Sequence, residues 1–495
     1  MSVKYTFLPS QLPLSQSSPF PAFSYVLLTQ LALFFRLQHL LEGRSLLAVE
    51  IGMHGDTLAW AVSQGWLREL PGIRLENGVA HCQRCGESSP KRLVPYSCVR
   101  CMKKCTYCRT CLQMGRVAVC TSLYEWTGPP SRWKDSSALH WGGELSPAQR
   151  RASDRVIEAV SNDQSLLVWA VCGSGKTEVL FRGIERALQQ GKRVCIAAPR
   201  TDVILELAPR LQEVFPYIPV ATLYGGAPNR FATSSLTLCT THQLLRFSHA
   251  FDVIVVDEVD AFPYSVDATL QFAVRKALKT NTSSIVYLTA TPPRHFQKAC
   301  RQGVQPYIRI PARYHRSPLP EPTFVRCFSW RKAVEKGRLP TKALQWMNAR
   351  LEQGRRVLLF FPNIHLMQKV EKGLLKHLPE ATSVHAEDPA RKEKVQALRE
   401  GDRRVLLTTT ILERGVTIPF VDVAVIGGEH RQFTEAALVQ IAGRAGRKKD
   451  DTMGQVCFFH NGVSLSMLRA RHHIRSMNRE ALANGDLDFR GGPRP

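Results

Sequence analysis

Two short blocks in this sequence carry residue types suited to chemistry on a phosphate. Residues 166–170, Leu-Leu-Val-Trp-Ala, run into Val171-Cys172-Gly173-Ser174-Gly175-Lys176-Thr177, and a helical pattern over 178–190 follows. A buried strand, a Gly-rich turn and a helix start aim backbone N–H groups and the positive end of a helix dipole at one point, which makes a phosphate cradle. Gly173, Ser174 and Gly175 supply the turn. Lys176 suits the β- and γ-phosphates of ATP, and the Thr177 hydroxyl suits Mg²⁺. The second block is Asp257-Glu258-Val259-Asp260, at the end of the apolar run 251–256. A carboxylate at the edge of a buried strand is costly unless a cation or a proton role holds it there. Asp257 is expected to hold Mg²⁺ and Glu258 to position and deprotonate an attacking water. Asp260 is expected to help by linking to a neighbouring motif or a second lobe.

Cysteine supplies the other chemistry. Eight of the fourteen cysteines fall between Cys82 and Cys120, as Cys82-x2-Cys85, Cys98-x2-Cys101, Cys105-x2-Cys108, Cys111 and Cys120. Cys-x2-Cys knuckles let two thiolates grip one tetrahedral Zn²⁺, and four such ligands make a closed structural site. The clearest single set by spacing is Cys82, Cys85, Cys98 and Cys101, leaving Cys105, Cys108, Cys111 and Cys120 for a second. Crossed pairing is equally allowed, one site alone is possible, and iron–sulfur ligation uses the same Cys₄ sets. Disulfides are disfavoured in a chain built for reducing surroundings. The same stretch carries eight basic residues (Arg84, Lys91, Arg92, Arg100, Lys103, Lys104, Arg109 and Arg116) against one acid, Glu87. Much of that charge balances metal thiolates. The rest, with Tyr96 and Tyr107, suits a single-stranded nucleic acid, although a solvated basic face fits nearly as well.

The elements that must position these groups alternate. Runs at 166–170, 194–198, 236–240, 251–256 and 285–289 are short and rich in Val, Ile or Leu, as strands buried on both faces of a parallel sheet are. A Pro-studded stretch, 306–322, interrupts them. The pattern restarts at 357–361, 405–409 and 423–426, with helical segments between. The expected organisation is a helical N-terminal region over 1–75 and a cysteine module over 76–125. A first α/β lobe over 140–305, a linker over 306–322, a second lobe over 323–475 and a basic, partly disordered tail over 476–495 follow. Residues 23–41 read as a buried helix, too short and too interrupted to span a bilayer. The segment 469–479 carries four arginines and two histidines on an expected helix. Across 495 residues, 66 Lys+Arg face 41 Asp+Glu, a formal net charge of +25. Such an excess suits a polyanionic partner, while 44% hydrophobic and 22% charged residues describe an ordinary globular chain.

Further blocks occur in the order found in superfamily-2 helicases. Leu145-Ser146-Pro147-Ala148-Gln149 resembles the adenine-reading Q motif, with Gln149 suited to the base edge. Ala198-Pro199-Arg200-Thr201 and Thr240-Thr241 resemble the elements that touch a nucleic-acid backbone, and Thr289-Ala290-Thr291-Pro292 resembles motif III. Thr408-Thr409-Thr410-Ile411-Leu412-Glu413-Arg414-Gly415-Val416 resembles motif V, departing from many relatives at Thr417, where they carry an acid. Gln440-Ile441-Ala442-Gly443-Arg444-Ala445-Gly446-Arg447 resembles motif VI, whose arginines, here Arg444 and Arg447, stabilise transition-state charge across the cleft. The resemblance implies two tandem RecA-like lobes, parallel sheets flanked by helices.

The combination of this motor with a preceding cysteine cluster, with Asp-Glu-Val-Asp-Ala-Phe-Pro-Tyr from 257 to 264 and Tyr-Cys-Arg-Thr-Cys-Leu-Gln-Met-Gly-Arg from 107 to 116, resembles the ComFA family of competence DNA-uptake ATPases. The likeness covers roughly residues 75–475. It implies a DNA-stimulated ATPase that pulls incoming single-stranded DNA into the cytoplasm, using ATP, Mg²⁺ and one or two Zn²⁺. Implied partners are a membrane DNA-channel protein and other competence proteins, reached from the inner face of the membrane. A primosomal-type DNA helicase is the nearest alternative, but such proteins carry their cysteines within the second lobe. An RNA helicase is a further alternative, disfavoured by Val259 within the acidic block and by the cysteine module. A binding scaffold with a vestigial motor conflicts with intact Lys176, Asp257, Glu258 and Arg447.

Overall fold

A computed structural model describes residues 22–131, 133, 139–280, 282–414, 418–447, 450–451 and 454–488. Gly415, Val416 and Thr417 of the motif V resemblance lie outside the described residues.

The first lobe is a seven-stranded parallel sheet. Its order is Val220–Leu223, Leu236–Thr240, Val194–Ala198, Val253–Val256, Ser284–Thr289, Ser165–Ala170 and Tyr307–Ile310. Central strands such as Val253–Val256 and Val194–Ala198 are buried at every position, which is why they read as unbroken apolar runs. All strands point the same way, so the phosphate turn after Ala170, the acidic block after Val256 and the Thr-rich segment after Thr289 open at one edge of the sheet, where α/β proteins bind ligands.

The second lobe is a six-stranded parallel sheet ordered Thr323–Arg326, Val456–His460, Val421–Ile426, Arg356–Phe360, Val405–Thr408 and Ala381–Val384. The helix Leu465–Ala483 closes it, burying Met467, Ala470, Ile474, Met477 and Ala481.

Three expectations are corrected. Tyr307–Ile310, inside the stretch read as linker, is the edge strand of the first lobe beside Ser165–Ala170. Its flanking prolines fit an edge, where one side needs no ladder donors. The boundary expected at 475 falls inside Leu465–Ala483, and Asp486 beyond that helix is buried and paired with Arg151 at 2.7 Å. From Leu28 to Leu41, the part of the helix Ala22–Leu41 whose burial is described, Leu37 and Leu41 are buried while Leu28, Leu31 and Phe35 are exposed. Among the described residues no helix is long and apolar enough to cross a membrane.

The N-terminal region and the cysteine stretch interlock. Strand Ser122–Trp126, beyond the last cysteine, lies between Ser45–Leu47 and Leu67–Pro71, antiparallel to both. The 75/76 boundary falls within Ile73–Glu76, which pairs with Val79–Cys82 through Asn77 and Gly78, both at positive φ. Asn-Gly is the pair such a two-residue hairpin turn requires. A second hairpin, Leu93–Cys98 with Lys103–Cys108, carries four of the eight cysteines across its two strands and turn.

Candidate active site between the lobes

The phosphate turn has the conformation its glycines imply: Gly173 and Gly175 sit at φ +79° and +70°, where a side chain would be strained. Glu178–Leu180 forms a single 3₁₀ turn before the helix Phe181–Gln189, so the expected helix starts three residues late. Lys176 Nζ lies 3.9 Å from Asp257 Oδ1. Lys176 and Thr177 are half-buried at the turn, and the buried Ser174 hydroxyl has no hydrogen-bond partner among the described residues. A cradle with an ammonium, a hydroxyl and an unpartnered buried polar atom fits a magnesium-bound triphosphate.

Asp257 is buried directly after its strand and accepts the Glu258 N–H at 2.8 Å. Burial pushes its carboxyl above the usual range, with Lys176 opposing and Glu258 adding to the rise. Glu258 sits at φ +52°, an uncommon conformation for a side-chain-bearing residue that concentrates at functional sites.

Asp260 joins both things expected of it. It accepts the hydroxyls of Thr289 at 2.7 Å and Thr291 at 2.5 Å, and it pairs with Arg414 of the second lobe. Burial works against an ionised Asp260, but Arg414 and the two hydroxyls outweigh it and hold the carboxyl below its ordinary range. Arg414 also lies 3.4 Å from Glu258 and 3.5 Å from Glu413. The sequence reading passed over Arg414 as a site residue, although its place beside Glu413 in the motif V resemblance was the available signal.

Motif VI packs onto the phosphate turn. The Cys172 thiol donates to Gln440 Oε1 at 2.9 Å, and a Cβ on Gly443 would stand 2.5 Å from Cys172 Cβ, so only glycine permits this approach. The two arginines are placed differently. Arg444 is anchored through its Nε on the Glu413 carbonyl at 2.9 Å, and burial, then Arg447, push its guanidinium down to about 9. Arg447 reaches the turn itself, its Nε 3.9 Å from where a Cβ of Gly173 would be. Beside it stands Arg313, fully buried, donating to the Gly446 and Ala445 carbonyls, with Tyr314 N–H donating to Gly173 O at 3.1 Å. Arg313 was missed because the prolines around it read as a linker.

Gln149 differs from its expected geometry. Its amide donates to Ser174 O at 2.8 Å while its carbonyl accepts Ser146 N–H at 2.8 Å, closing the capping box of the helix Pro147–Ser161. One end of the side chain braces the phosphate turn and the other caps the helix, so both polar ends are engaged within the chain.

The cysteines form two clusters, crossed relative to the spacing-based choice. Cys82, Cys85, Cys108 and Cys111 gather in one, and Cys98, Cys101, Cys105 and Cys120 in the other, with each set's sulfurs within 4.8 Å of one another. The hairpin explains the exchange: its register puts Cys98 and Cys105 toward the turn, while Cys108 lies opposite Leu93 at the base, beside the first knuckle. Cys105 and Cys108 are three apart on one strand and so face opposite sides. Sulfur separations of 3.7 Å (Cys82–Cys111), 3.6 Å (Cys85–Cys108) and 3.6 Å (Cys98–Cys120) are far too long for disulfides. They match the roughly 3.8 Å edge of a tetrahedron with metal–sulfur bonds of about 2.3 Å. The basic count of this stretch is also revised. Arg84 is wholly buried, paired with Glu50, which reaches Arg246 of the first lobe at 2.7 Å. Tyr96 and Tyr107 pack edge to face at 5.2 Å, with Arg116 over Tyr96. Beyond Arg246 lies a groove of about 710 Å³, where Pro199, Thr201, Thr240 and Gln243 face Gln113 and Met114 of the cysteine module.

Comparison with known proteins decides the family. Residues 32–125 match the competence protein ComFA N-terminal domain, 143–294 the type III restriction enzyme res subunit, and 340–449 the helicase conserved C-terminal domain. The competence protein ComFA of Bacillus subtilis is 47% identical over 443 residues, 89% of this chain and 95% of the relative. This chain belongs to the ComFA family. The ComFA of Streptococcus pneumoniae is 38% identical over 83% of this chain and 94% of its own length. The structure of S. cerevisiae Dbp5 bound to RNA and ADP BeF3 superposes with a TM-score of 0.51 at 15% identity, covering 70% of this chain and 89% of that one, a likeness of fold. The ComFA-family chain is therefore a competence-associated ATPase of helicase type, with two RecA-like lobes behind a cysteine-rich module able to hold metal.

Proposed function

We propose that this ComFA-family ATPase is a single-stranded DNA translocase that draws transforming DNA into the cytoplasm. The observation that carries this reading is the groove in which the cysteine module's Gln113 and Met114 face the first-lobe segments around Thr201 and Thr240. A module fixed against one lobe of a two-lobe motor adds a wall to the strand's path, which suits holding a single strand while the second lobe moves.

In the cleft, Lys176 and the backbone of Gly173 to Thr177 bind the triphosphate, and Thr177 and Asp257 hold Mg²⁺. The ion, when bound, neutralises charge on the β- and γ-phosphate oxygens. Glu258 orients the attacking water and takes its proton. Arg447 steadies charge developing on the γ-phosphate, while Arg444, fastened to Glu413, sets the position of motif VI. Gln149 acts through the phosphate turn it braces. Both cysteine clusters bind Zn²⁺, whose closed four-sulfur shells hold the module's shape. The partners in this reading are a membrane DNA-channel protein and other competence proteins, met peripherally at the inner membrane face.

ATP turnover measured with single-stranded DNA, duplex DNA and RNA of equal length tests the proposal. Stimulation at least tenfold greater by single-stranded DNA is expected, and a preference for RNA or duplex sinks it.

A further inference from the structure

A second basic cleft lies away from both the nucleotide site and the module-walled groove. It is a cavity of about 570 Å³ between the lobes. One wall is the helix Arg294–Arg301, which follows the Thr289–Thr291 segment. The other is the helix Leu465–Ala483 of the second lobe. Its floor is Trp169, on the strand that leads into the phosphate turn, whose indole N–H donates to Ala290 O at 3.1 Å.

The charge in this cleft is one-sided. Arg294, Lys298 and Arg301 stand at i, i+4 and i+7, on one helix face, and Arg469 and His472 approach from the other lobe. None of these five has an ion pair with a carboxylate among the described residues. Glu435 is the one acid in the lining, and it is engaged by His473 at 3.8 Å. That contact, with Arg469 and Arg294 beyond it, holds the Glu435 carboxyl below its ordinary range. His473 is itself more than nine-tenths buried, yet its Nε2 has no partner among the described residues.

A solvated charged face is convex, single-sided and leaves no buried donor unpaired. Here cations from two lobes converge on a concave space with a buried unpartnered imidazole nitrogen. We propose that this cleft binds the phosphodiester backbone of a nucleic-acid strand, as a second contact beyond the module-walled groove. The three helix cations span about 10 Å along the axis, about three phosphates at the roughly 3.4 Å axial spacing of one strand. Since the walls belong to different lobes and the floor joins the phosphate turn to the Thr289–Thr291 segment, the cleft changes width whenever the lobes move. A strand held there is gripped and released with the nucleotide cycle. The inference deepens the translocase reading and rests on it only in that the chain binds a polynucleotide.

The test is the salt dependence of binding to oligonucleotides of roughly 8 and 30 nucleotides, short and long against a typical single-strand site. It compares the intact chain with Arg294→Ala/Lys298→Ala/Arg301→Ala. All three side chains are exposed, so the thermal unfolding temperature should not move. The slope of log K against log salt should become shallower by about 2 for the long strand, three contacts at about 0.7 each, and stay the same for the short one. Lysine at positions 294 and 301, with Lys298 kept, should restore the slope. An unchanged long-strand slope overturns the proposal, and so does an equal change at both lengths, which would put these cations in the first groove. Loss confined to inorganic triphosphate would overturn it in favour of a free polyphosphate ligand, and failed rescue would reduce the effect to structure. The single-stranded DNA reading fails separately, through the intact chain's preference among nucleic acids.

Discussion

Each of the two cysteine clusters offers four thiols within 4.8 Å of one another, but in opposite surroundings. Cys82, Cys85, Cys108 and Cys111 are all buried, and they belong to one continuous core with Phe247, Phe251, Leu270 and Ala273 of the first lobe. Gly86, beside them, lies so close to the lobe that a Cβ would meet Phe272 Cδ2 at 2.8 Å. Cys98, Cys101, Cys105 and Cys120 form a satellite with Ala118, Tyr96 and Tyr107, and Cys101 and Cys120 are partly exposed. Ligand chemistry does not separate the two. Position does: one is welded into the motor, and the other joins the tip of a hairpin to the segment around Ala118 and Cys120.

The sharpest way to break that contrast is Cys85→Ser. Metal binding at a buried closed site is folding free energy, on the order of 10 kcal/mol in small domains. Losing one ligand here should remove at least about 4 kcal/mol and lower Tm by roughly 10 °C, with one metal equivalent gone and ATP turnover reduced. A Tm within a few degrees of the parent would show that the inner cluster is not part of the motor's core. Next comes Glu50→Ala. It strands Arg84 and Arg246, both buried, and breaking such a pair costs about 3–5 kcal/mol. Both metal equivalents should remain, so normal stability with lost metal would contradict the assigned role. Cys101→Ser should do least: one metal equivalent lost, local hydrogen-exchange protection lost at the hairpin tip, and Tm shifted by less than about 3 °C. A drop as large as that of Cys85→Ser would erase the distinction between the clusters.

Legibility in the sequence followed the same divide between local and distant. Strands buried on both faces announced themselves through unbroken apolar runs, and the phosphate turn, the acidic block and the motif VI arginines through short spacings. Strands such as Thr323–Arg326 and Ala381–Val384 mix polar residues with short length and left no comparable trace. Arg313 was hidden because prolines mark both linkers and edge strands. The crossed cysteine sets were hidden because Cys-x2-Cys spacing fixes pairs, and the fold of the hairpin decides which pairs meet. Glu50 gave no signal at all, since its two arginine partners lie 34 and 196 residues away. Gln149 was found and its geometry misjudged: a capping box and a base contact require the same side-chain atoms.

Arg414 crosses the cleft to an aspartate that two threonine hydroxyls already hold. Its guanidinium is buried, but Asp260 and Glu258 outweigh that burial and raise its pKa, so it stays charged at any working pH. If the lobes part, that charge loses Asp260 and Glu258 and keeps only Glu413 of its own lobe, while Asp260 keeps only neutral donors, so opening carries an electrostatic penalty localised at one residue. Coupling free energies are reciprocal. Whatever factor a bound strand gains by favouring the closed arrangement, the nucleotide gains equally. Arg414→Lys, a point charge in place of a planar fork, would therefore loosen the thermodynamic link between the two ligands while leaving each binding surface in place.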